Sequence, residues 1–121
     1  MSGELSFFEL GVGDAAKGQA FYGSLFGWEL VPNEGGEGLL VRTRTVPGGM
    51  HGGDPGASPY VFFRVDDIEV AKARVVELGG SIDETDLDGD EGQVARFGRF
   101  VLCVDDQGSP FGLHQPEAGA E

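Results

Sequence analysis

The pattern of apolar and polar positions occurs twice along this 121-residue chain. Residues 8–27 read FELGVGDAAKGQAFYGSLFG, and residues 61–80, 53 positions later, read VFFRVDDIEVAKARVVELGG. In each copy an alternating apolar run predicts a strand, an Asp supplies the N-cap of a helix, and a Gly ends that helix. Asp14 and Gly27 bound the first predicted helix, and Asp67 and Gly79 bound the second. We therefore expect two similar half-domains, each built as β-α-β-β-β.

The same reasoning assigns the remaining segments. Strands are predicted at residues 5–13, 28–31, 39–45, 50–53, 59–65, 81–83, 97–104 and 110–115. Gly, Pro and Asn clusters predict turns at residues 33–38, 47–49 and 105–109. Residues 54–58, rich in Pro, Gly and Ala, are predicted to link a first module (5–54) to a second (59–116) within a single domain (1–121). The class expected is α+β.

Charge narrows the classes of partner. The formal net charge is −13, with a sequence pI near 4.3. Such a field repels phosphate backbones and anionic membrane surfaces, so neither nucleic acid nor membrane is expected as a partner. It attracts cations, including cationic small molecules. The alternative is that the charge serves only to keep the protein soluble.

Further features point to a cytoplasmic protein. The single cysteine, Cys103, lies among apolar residues and has no second cysteine to pair with, so a buried and inert thiol is expected. The N-terminus, MSGELSFF, lacks the basic start of a signal peptide. No apolar run approaches the roughly 20 residues that a membrane span requires.

Three phrases in order carry a family resemblance. Residues 7–30 contain a strand, an Asp, a helix and the pairs "FY" and "FGW"; residues 60–82 open a second such unit; residues 98–116 form a closing hairpin. In this the chain resembles the vicinal oxygen chelate superfamily of glyoxalases, bleomycin-resistance proteins and extradiol dioxygenases. The resemblance implies two tandem βαβββ modules whose sheets form a U-shaped cleft, with the helices on the outer face. The modules pair within one chain or exchange between chains in a homodimer.

The resemblance also gives positions for metal ligands. The first ligand of each module, usually His, lies seven residues before the Asp that starts the helix, at Phe7 and Tyr60 here. The last ligand, usually Glu, immediately precedes the Leu of the closing strand and is here Gly112. Phe and Gly offer no donor atom and neutral Tyr is a poor ligand. We therefore expect no metal and no other cofactor.

Polar residues at these strands are candidates for ligand binding. Glu9 lies two residues after Phe7 and so points to the same strand face. Arg64 is in register with Tyr60 and Phe62; it either pairs with Glu9 or holds an anionic group of a ligand. His51 and His114 lie near the other strand ends, where they either support acid–base chemistry or are ordinary turn and edge residues.

Aromatic residues at matching register provide a second set of candidates. They either line a ligand pocket suited to a planar or cationic molecule or belong to the core. The members are Phe7, Trp28, Tyr60 and Phe62.

The acidic segment at residues 83–92, DETDLDGDEG, has alternating carboxylates like a calcium loop. An EF-hand loop that starts at Asp86 needs Gly at its sixth position and Glu at its twelfth, and these are Glu91 and Phe97. The pattern fails, and a solvated loop is expected.

Taken together, the sequence favours a metal-free small-molecule-binding protein of the glyoxalase/bleomycin-resistance type, which holds an aromatic or cationic metabolite or antibiotic. The first alternative is a lyase, isomerase or dioxygenase that uses Glu9, His51 and His114 as an atypical metal set or for acid–base chemistry without metal. The second alternative is an interaction module that uses the fold for contacts with another protein.

Overall fold

The computed structural model describes residues 3–118. In this range the chain forms eight strands and three helices. In chain order they are β1 (Leu5–Gly11), α1 (Ala15–Phe26), β2 (Glu29–Pro32), β3 (Leu39–Arg42), β4 (Gly48–His51), β5 (Tyr60–Arg64), α2 (Ile68–Glu77), β6 (Ser81–Asp83), α3 (Glu91–Phe97), β7 (Arg99–Val104) and β8 (Pro110–Gln115). The α+β class is confirmed. The described residues divide into an N-terminal unit, Phe7–Val61, and a C-terminal unit, residues 62–118 with residues 3–6.

The N-terminal unit contains four strands in the order β2-β3-β4-β1. Strands β1 and β4 are parallel, and the other neighbours are antiparallel. The core lies on the α1 side of these strands and is formed by Leu10, Leu30, Val41 and Met50. Gly18 lets α1 approach closely, since a Cβ at that position would lie 2.7 Å from Met50 Sδ. Packing thus offsets the low helix propensity of this glycine.

The C-terminal unit has the strand order β5-β8-β7-β6, with β5 and β8 parallel. Its core is formed by Ile68, Val101, Cys103 and Leu113. Residues 3 and 4 extend this unit: Gly3 N–H donates to Arg64 O at 2.7 Å, and Arg64 N–H donates to Glu4 O at 2.7 Å.

The helix signals read from the sequence are confirmed. Asp14 is the N-cap of α1 and accepts from Ala16 N–H at 2.9 Å. Gly27 ends α1 with φ 74°, a left-handed conformation that favours glycine. Asp67 caps α2 in the same way, accepting from Glu69 N–H at 3.0 Å.

Several of the predicted boundaries are wrong. Residues 39–45 were predicted as one strand, whereas β3 ends at Arg42. The segment 47–49 was predicted as a turn and 50–53 as a strand, whereas Gly48–His51 is β4. Phe97 was predicted to open a strand, but it ends α3. This helix was missed because its seven residues carry too few apolar positions to show a helical period. Its start has a recognisable cap, since Asp90 accepts from Gln93 N–H at 2.9 Å.

The acidic segment is a structural support rather than a freely solvated loop. Asp88 Oδ1 accepts from Phe100 N–H at 2.7 Å, and Asp88 Oδ2 accepts from Arg99 Nε at 3.2 Å. Arg99 also donates to Glu69 at 2.9 Å. These bonds fix the start of β7 against the segment that precedes it.

The cysteine is buried, as the sequence predicts. Cys103 is 1% exposed, and burial raises the pKa of its thiol to about 11. Such a thiol stays protonated and unreactive near neutral pH.

No helix among the described residues is both long and apolar enough to cross a membrane. The module boundaries, the homodimer and the cytoplasmic location stay predictions.

Replacing Asp88 with Ala is expected to destabilise the fold by about 1–3 kcal/mol, because it leaves the Phe100 N–H without its acceptor. Urea denaturation measures the change. Asp106→Ala is the matched control, since Asp106 is exposed. Equal loss in both variants would show that the acidic segment does not support β7.

Candidate functional site

The register between β1 and β4 brings two polar residues onto one strand face. Glu9 lies opposite Gly49, and Gly11 lies opposite His51. Side chains alternate along a strand, so Glu9 and His51 point away from the face that buries Leu10 in the core. The result is a polar group on the face of the N-terminal unit that α1 does not cover.

Four side chains form one hydrogen-bonded network on this face. His51 Nδ1 lies 2.7 Å from Glu9 Oε2, and His51 Nε2 lies 2.9 Å from Asp54 Oδ2. The Tyr60 hydroxyl donates to the same Asp54 Oδ2 at 2.9 Å. We call Glu9, His51, Asp54 and Tyr60 the acidic cluster. All four belong to the N-terminal unit.

The partners of His51 determine its charge. An ionised carboxylate only accepts hydrogen bonds, so two carboxylate partners require a proton on each ring nitrogen. Burial opposes this charge, but the hydrogen bonds and negative charges of Glu9 and Asp54 outweigh it, so the pKa of His51 is raised above 6.5. The geometry and the direction of this shift both favour an imidazolium held between two carboxylates.

The two carboxylates differ in environment. Burial raises the pKa of Glu9 above its usual value, although the hydrogen bond and charge of His51 act in the opposite direction. The hydrogen bonds from His51 and Tyr60 lower the pKa of Asp54. Carboxyl groups pushed in opposite directions are an arrangement suited to different chemical roles.

Glycines make room for the acidic cluster. A Cβ at Gly49 would collide with Glu9 Oε1, and a Cβ at Gly11 would collide with Asp54 Oδ2. Gly53 has φ 72° and helps the chain turn back after β4, so that Asp54 reaches His51. The strand glycines thus mark a close approach of side chains to backbone.

The acidic cluster has free acceptors that solvent can reach. Its side chains are partly exposed: 26% for Glu9, 37% for His51 and 34% for Asp54. Within the described residues, Glu9 Oε1 and Asp54 Oδ1 accept no hydrogen bond. Both ring nitrogens of His51 are engaged, so new donors would bind to the carboxylates.

The C-terminal unit repeats this register with different chemistry. Phe62 lies opposite Gly112, as Glu9 lies opposite Gly49 in the N-terminal unit. Arg64 lies opposite His114, as Gly11 lies opposite His51. A Cβ at Gly112 would collide with the Phe62 ring. The glycine thus serves the same purpose in both units.

His114 is held differently from His51. It is 5% exposed, its Nε2 donates to Phe97 O at 2.7 Å, and its Nδ1 accepts from the Ser6 hydroxyl at 2.9 Å. The carbonyl partner only accepts, so Nε2 carries a proton. The Ser6 hydroxyl can donate to Nδ1, so the ring needs no second proton and is neutral. Burial lowers the pKa of His114, and the charge of Arg64 adds to this effect.

The aromatic candidates do not share one environment. Trp28 packs in the core of the N-terminal unit, with its ring 5.6 Å from Phe8 and 4.8 Å from Phe26. It therefore does not join the acidic cluster. Tyr60 does join it, with a ring centroid 6.1 Å from that of His51. Phe62 is buried in the C-terminal unit, 5.3 Å from Phe100, and Phe7 is half-buried on β1.

Comparison with known proteins identifies the fold. No protein-family model matches the chain, and no curated protein sequence matches it. A hypothetical protein from Bacillus halodurans C-125 matches in structure with a TM-score of 0.74 and 13% identity, over 100% of this chain and 99% of its own. Methylmalonyl-CoA epimerase from Mycobacterium tuberculosis matches with a TM-score of 0.66 and 18% identity, over 93% of this chain and 87% of its own.

A third match is a variant of homoprotocatechuate 2,3-dioxygenase from B. fuscum, with a TM-score of 0.65 and 21% identity. The match covers 99% of this chain but 34% of the dioxygenase chain. The epimerase and the dioxygenase are both vicinal oxygen chelate proteins. This chain has the vicinal oxygen chelate fold. The sequence resemblance is thus confirmed at the level of the fold.

The ligand positions expected for a metal in the vicinal oxygen chelate fold do not fit one here. Phe7 offers no donor, the Tyr60 hydroxyl donates to Asp54, and Gly112 lies beneath the Phe62 ring. Among the described residues, no group of three or more His, Cys, Asp or Glu side chains is arranged to hold a metal ion.

Sequence reasoning missed Asp54, which it placed at the start of the linker. The segment from His51 to Asp54 reads HGGD, in which two glycines allow a tight return of the chain. This spacing was the available signal. Gly49 was read as a turn residue for the same reason: glycine marks both turns and close approaches within strands.

The charge state of His51 predicts a pH dependence. Because its folded pKa is raised, its stabilisation is present below the unfolded pKa of about 6.5 and is lost as pH rises through the folded pKa. NMR titration of the imidazole protons is expected to place the pKa of His51 above 6.5, and Glu9→Gln is expected to lower it.

His114 provides the internal control, because its pKa is expected below 6.5 and unchanged by Glu9→Gln. The stability difference between wild type and His51→Gln is expected to shrink as pH rises. A pKa of His51 at or below 6.5 would contradict the imidazolium assignment.

Proposed function

We propose that this protein binds a small organic cation, without metal, at the acidic cluster. The supporting observation is that Glu9 and Asp54 share the imidazole ring of His51, and each keeps a carboxylate oxygen free of hydrogen bonds within the described residues. Two carboxylates and one imidazolium leave a net negative charge. A partly buried negative charge with open acceptors attracts donors that are themselves positive.

The chemistry of the acidic cluster favours binding over catalysis by His51. A general base needs a free nitrogen within reach of the substrate proton. Both nitrogens of His51 are bonded to carboxylates at 2.7 and 2.9 Å, so its role is to hold them in place. The Tyr60 ring adds an aromatic surface beside these acceptors. A planar ligand with an ammonium or amidinium group suits this arrangement.

The comparisons support a small molecule as the class of ligand. One methylmalonyl-CoA epimerase with this fold was solved in complex with methylmalonyl-CoA and NH4+. That match has a TM-score of 0.65 and 14% identity. The likeness supports the fold as a scaffold for small ligands, and the acidic cluster supports the positive charge.

Benzamidine is the probe that matches this chemistry, and neutral benzamide is its control. We expect calorimetry to detect benzamidine binding that weakens by about tenfold in Glu9→Gln and in Asp54→Asn, since each loses one charged acceptor. Thermal-shift screening of cationic aromatic antibiotics and amines extends the test.

Glu37→Gln is the matched control variant, because it makes the same chemical change at an exposed carboxylate of the N-terminal unit. Its affinity for benzamidine is expected to equal that of wild type. Equal binding of benzamide and benzamidine, or no response across the cationic panel, would refute a cation site.

A second candidate is an acid–base enzyme, and the raised pKa of Glu9 favours it. A carboxylate that is more basic than usual and held by a positive partner is a suitable general base. In this alternative Glu9 removes a proton next to a carbonyl group, and His51 positions Glu9.

Exchange of deuterium into methylmalonyl-CoA in D2O, followed by NMR, tests this alternative. If Glu9 is the base, we expect exchange in wild type and in Glu37→Gln. The exchange rate is then expected to fall by about 100-fold or more in Glu9→Gln. Benzamidine binding without any exchange would favour the binding protein over the enzyme.

A further inference from the structure

Arg64 is half-buried, and one nitrogen of its side chain has no hydrogen-bond partner among the described residues. It lies at the end of β5 in the C-terminal unit, opposite His114, and its backbone bonds to Gly3 and Glu4. Its Nε is buried and, among the described side chains, is the one buried nitrogen or oxygen atom without a hydrogen-bond partner. Its guanidinium forms no ion pair with any described residue.

The chain has ample means to pair this charge. It contains 21 acidic residues and 8 basic ones. Two of the other arginines are paired at short range: Arg74 lies 2.6 Å from Glu77, and Arg99 lies 2.9 Å from Glu69. A buried N–H left without a partner destabilises the folded state, because nothing replaces its hydrogen bond to water. The buried Nε of Arg64, which has no partner among the described residues, therefore favours an external partner.

The neighbours of Arg64 on this face are mainly rings. His114 lies opposite Arg64 in the pairing of β5 with β8, and Phe62 precedes Arg64 by two residues, so both share its face. The His114 ring stacks on Phe100 with centroids 4.4 Å apart and planes 5° apart. Phe100 also meets Phe62 edge to face at 5.3 Å. His114 is neutral in these surroundings, which leaves Arg64 as the positive charge of this group.

We propose that Arg64 binds the carboxylate of a small planar organic acid, whose ring lies beside the partly exposed ring of Phe100. The planar guanidinium matches a carboxylate in shape and charge. The net charge of −13 disfavours anions of higher charge, such as phosphate, at a site with a single cation. The aromatic neighbours favour a ring over a short aliphatic acid.

Benzoate is the probe for this site, with acetate and inorganic phosphate as comparisons. NMR of the His114 ring protons reports binding, because Arg64 acts electrostatically on His114. We expect benzoate to shift these signals in a saturable way and to bind more tightly than acetate or phosphate. Tighter binding of phosphate would overturn the assignment of a carboxylate ligand.

Arg64→Gln is expected to weaken benzoate binding by about tenfold or more, because the charge is lost. Arg64→Lys keeps the charge but loses the planar fork, so an intermediate affinity is expected. Arg44→Gln removes the same charge from an exposed position and is expected to bind benzoate as wild type does. Unchanged affinity in Arg64→Gln would overturn the proposal.

Thermal unfolding without ligand provides a second test. An arginine kept for structure destabilises the protein when it is removed, whereas one kept for a ligand does not. We expect Arg64→Met to unfold at a temperature equal to or above that of wild type, and benzoate to raise the unfolding temperature of wild type alone. A lower unfolding temperature in Arg64→Met, with no benzoate effect on wild type, would show a structural role.

This inference does not depend on the proposed cation site. Glu9 and Asp54 belong to the N-terminal unit, and Arg64 belongs to the C-terminal unit. The residues that carry the two proposals thus differ, and benzamidine binding tests Glu9 and Asp54 whereas benzoate binding tests Arg64. A negative result with one probe leaves the proposal tested by the other probe unaffected.

Discussion

The parallel pairing of the first strand with the last strand of each module determines where chemistry can occur in this chain. In the N-terminal unit it places Glu9 opposite Gly49 and Gly11 opposite His51. A side chain in one strand can lie over its neighbour only if that neighbour is a glycine, because a Cβ would occupy the same space. The two strand glycines are thus a condition for the acidic cluster, and the carboxylates and imidazole follow from it.

The same pairing supports opposite electrostatics in the two units. His51 and His114 occupy equivalent register positions, yet one is bonded to two carboxylates and the other to a carbonyl and a hydroxyl. The first set of partners needs two ring protons and the second needs one. The direction in which each histidine's pKa is shifted follows from these partners and from burial, and not from the position in the strand.

Periodicity and caps were sufficient to predict most elements, because Asp14, Gly27 and Asp67 give local signals that packing does not override. They did not reveal α3, which is short and depends on the contacts of the acidic segment with β7. Counting from the helix cap also selected Glu9 as a site residue, and His51 was selected by its place near the end of a predicted strand. It could not select Asp54, because the contact with His51 depends on how the chain turns after β4.

The choice between structural and functional roles depends on which charges the protein satisfies by itself. Glu9, His51 and Asp54 satisfy one another and so cost little to keep, which means that their presence alone does not require a ligand. Arg64 differs, because a buried Nε without a partner is a cost in the free protein that its own fold does not repay. A chain with 21 carboxylates has the means to neutralise that charge. The buried Nε without a partner among residues 3–118 is therefore an observation that favours an external ligand.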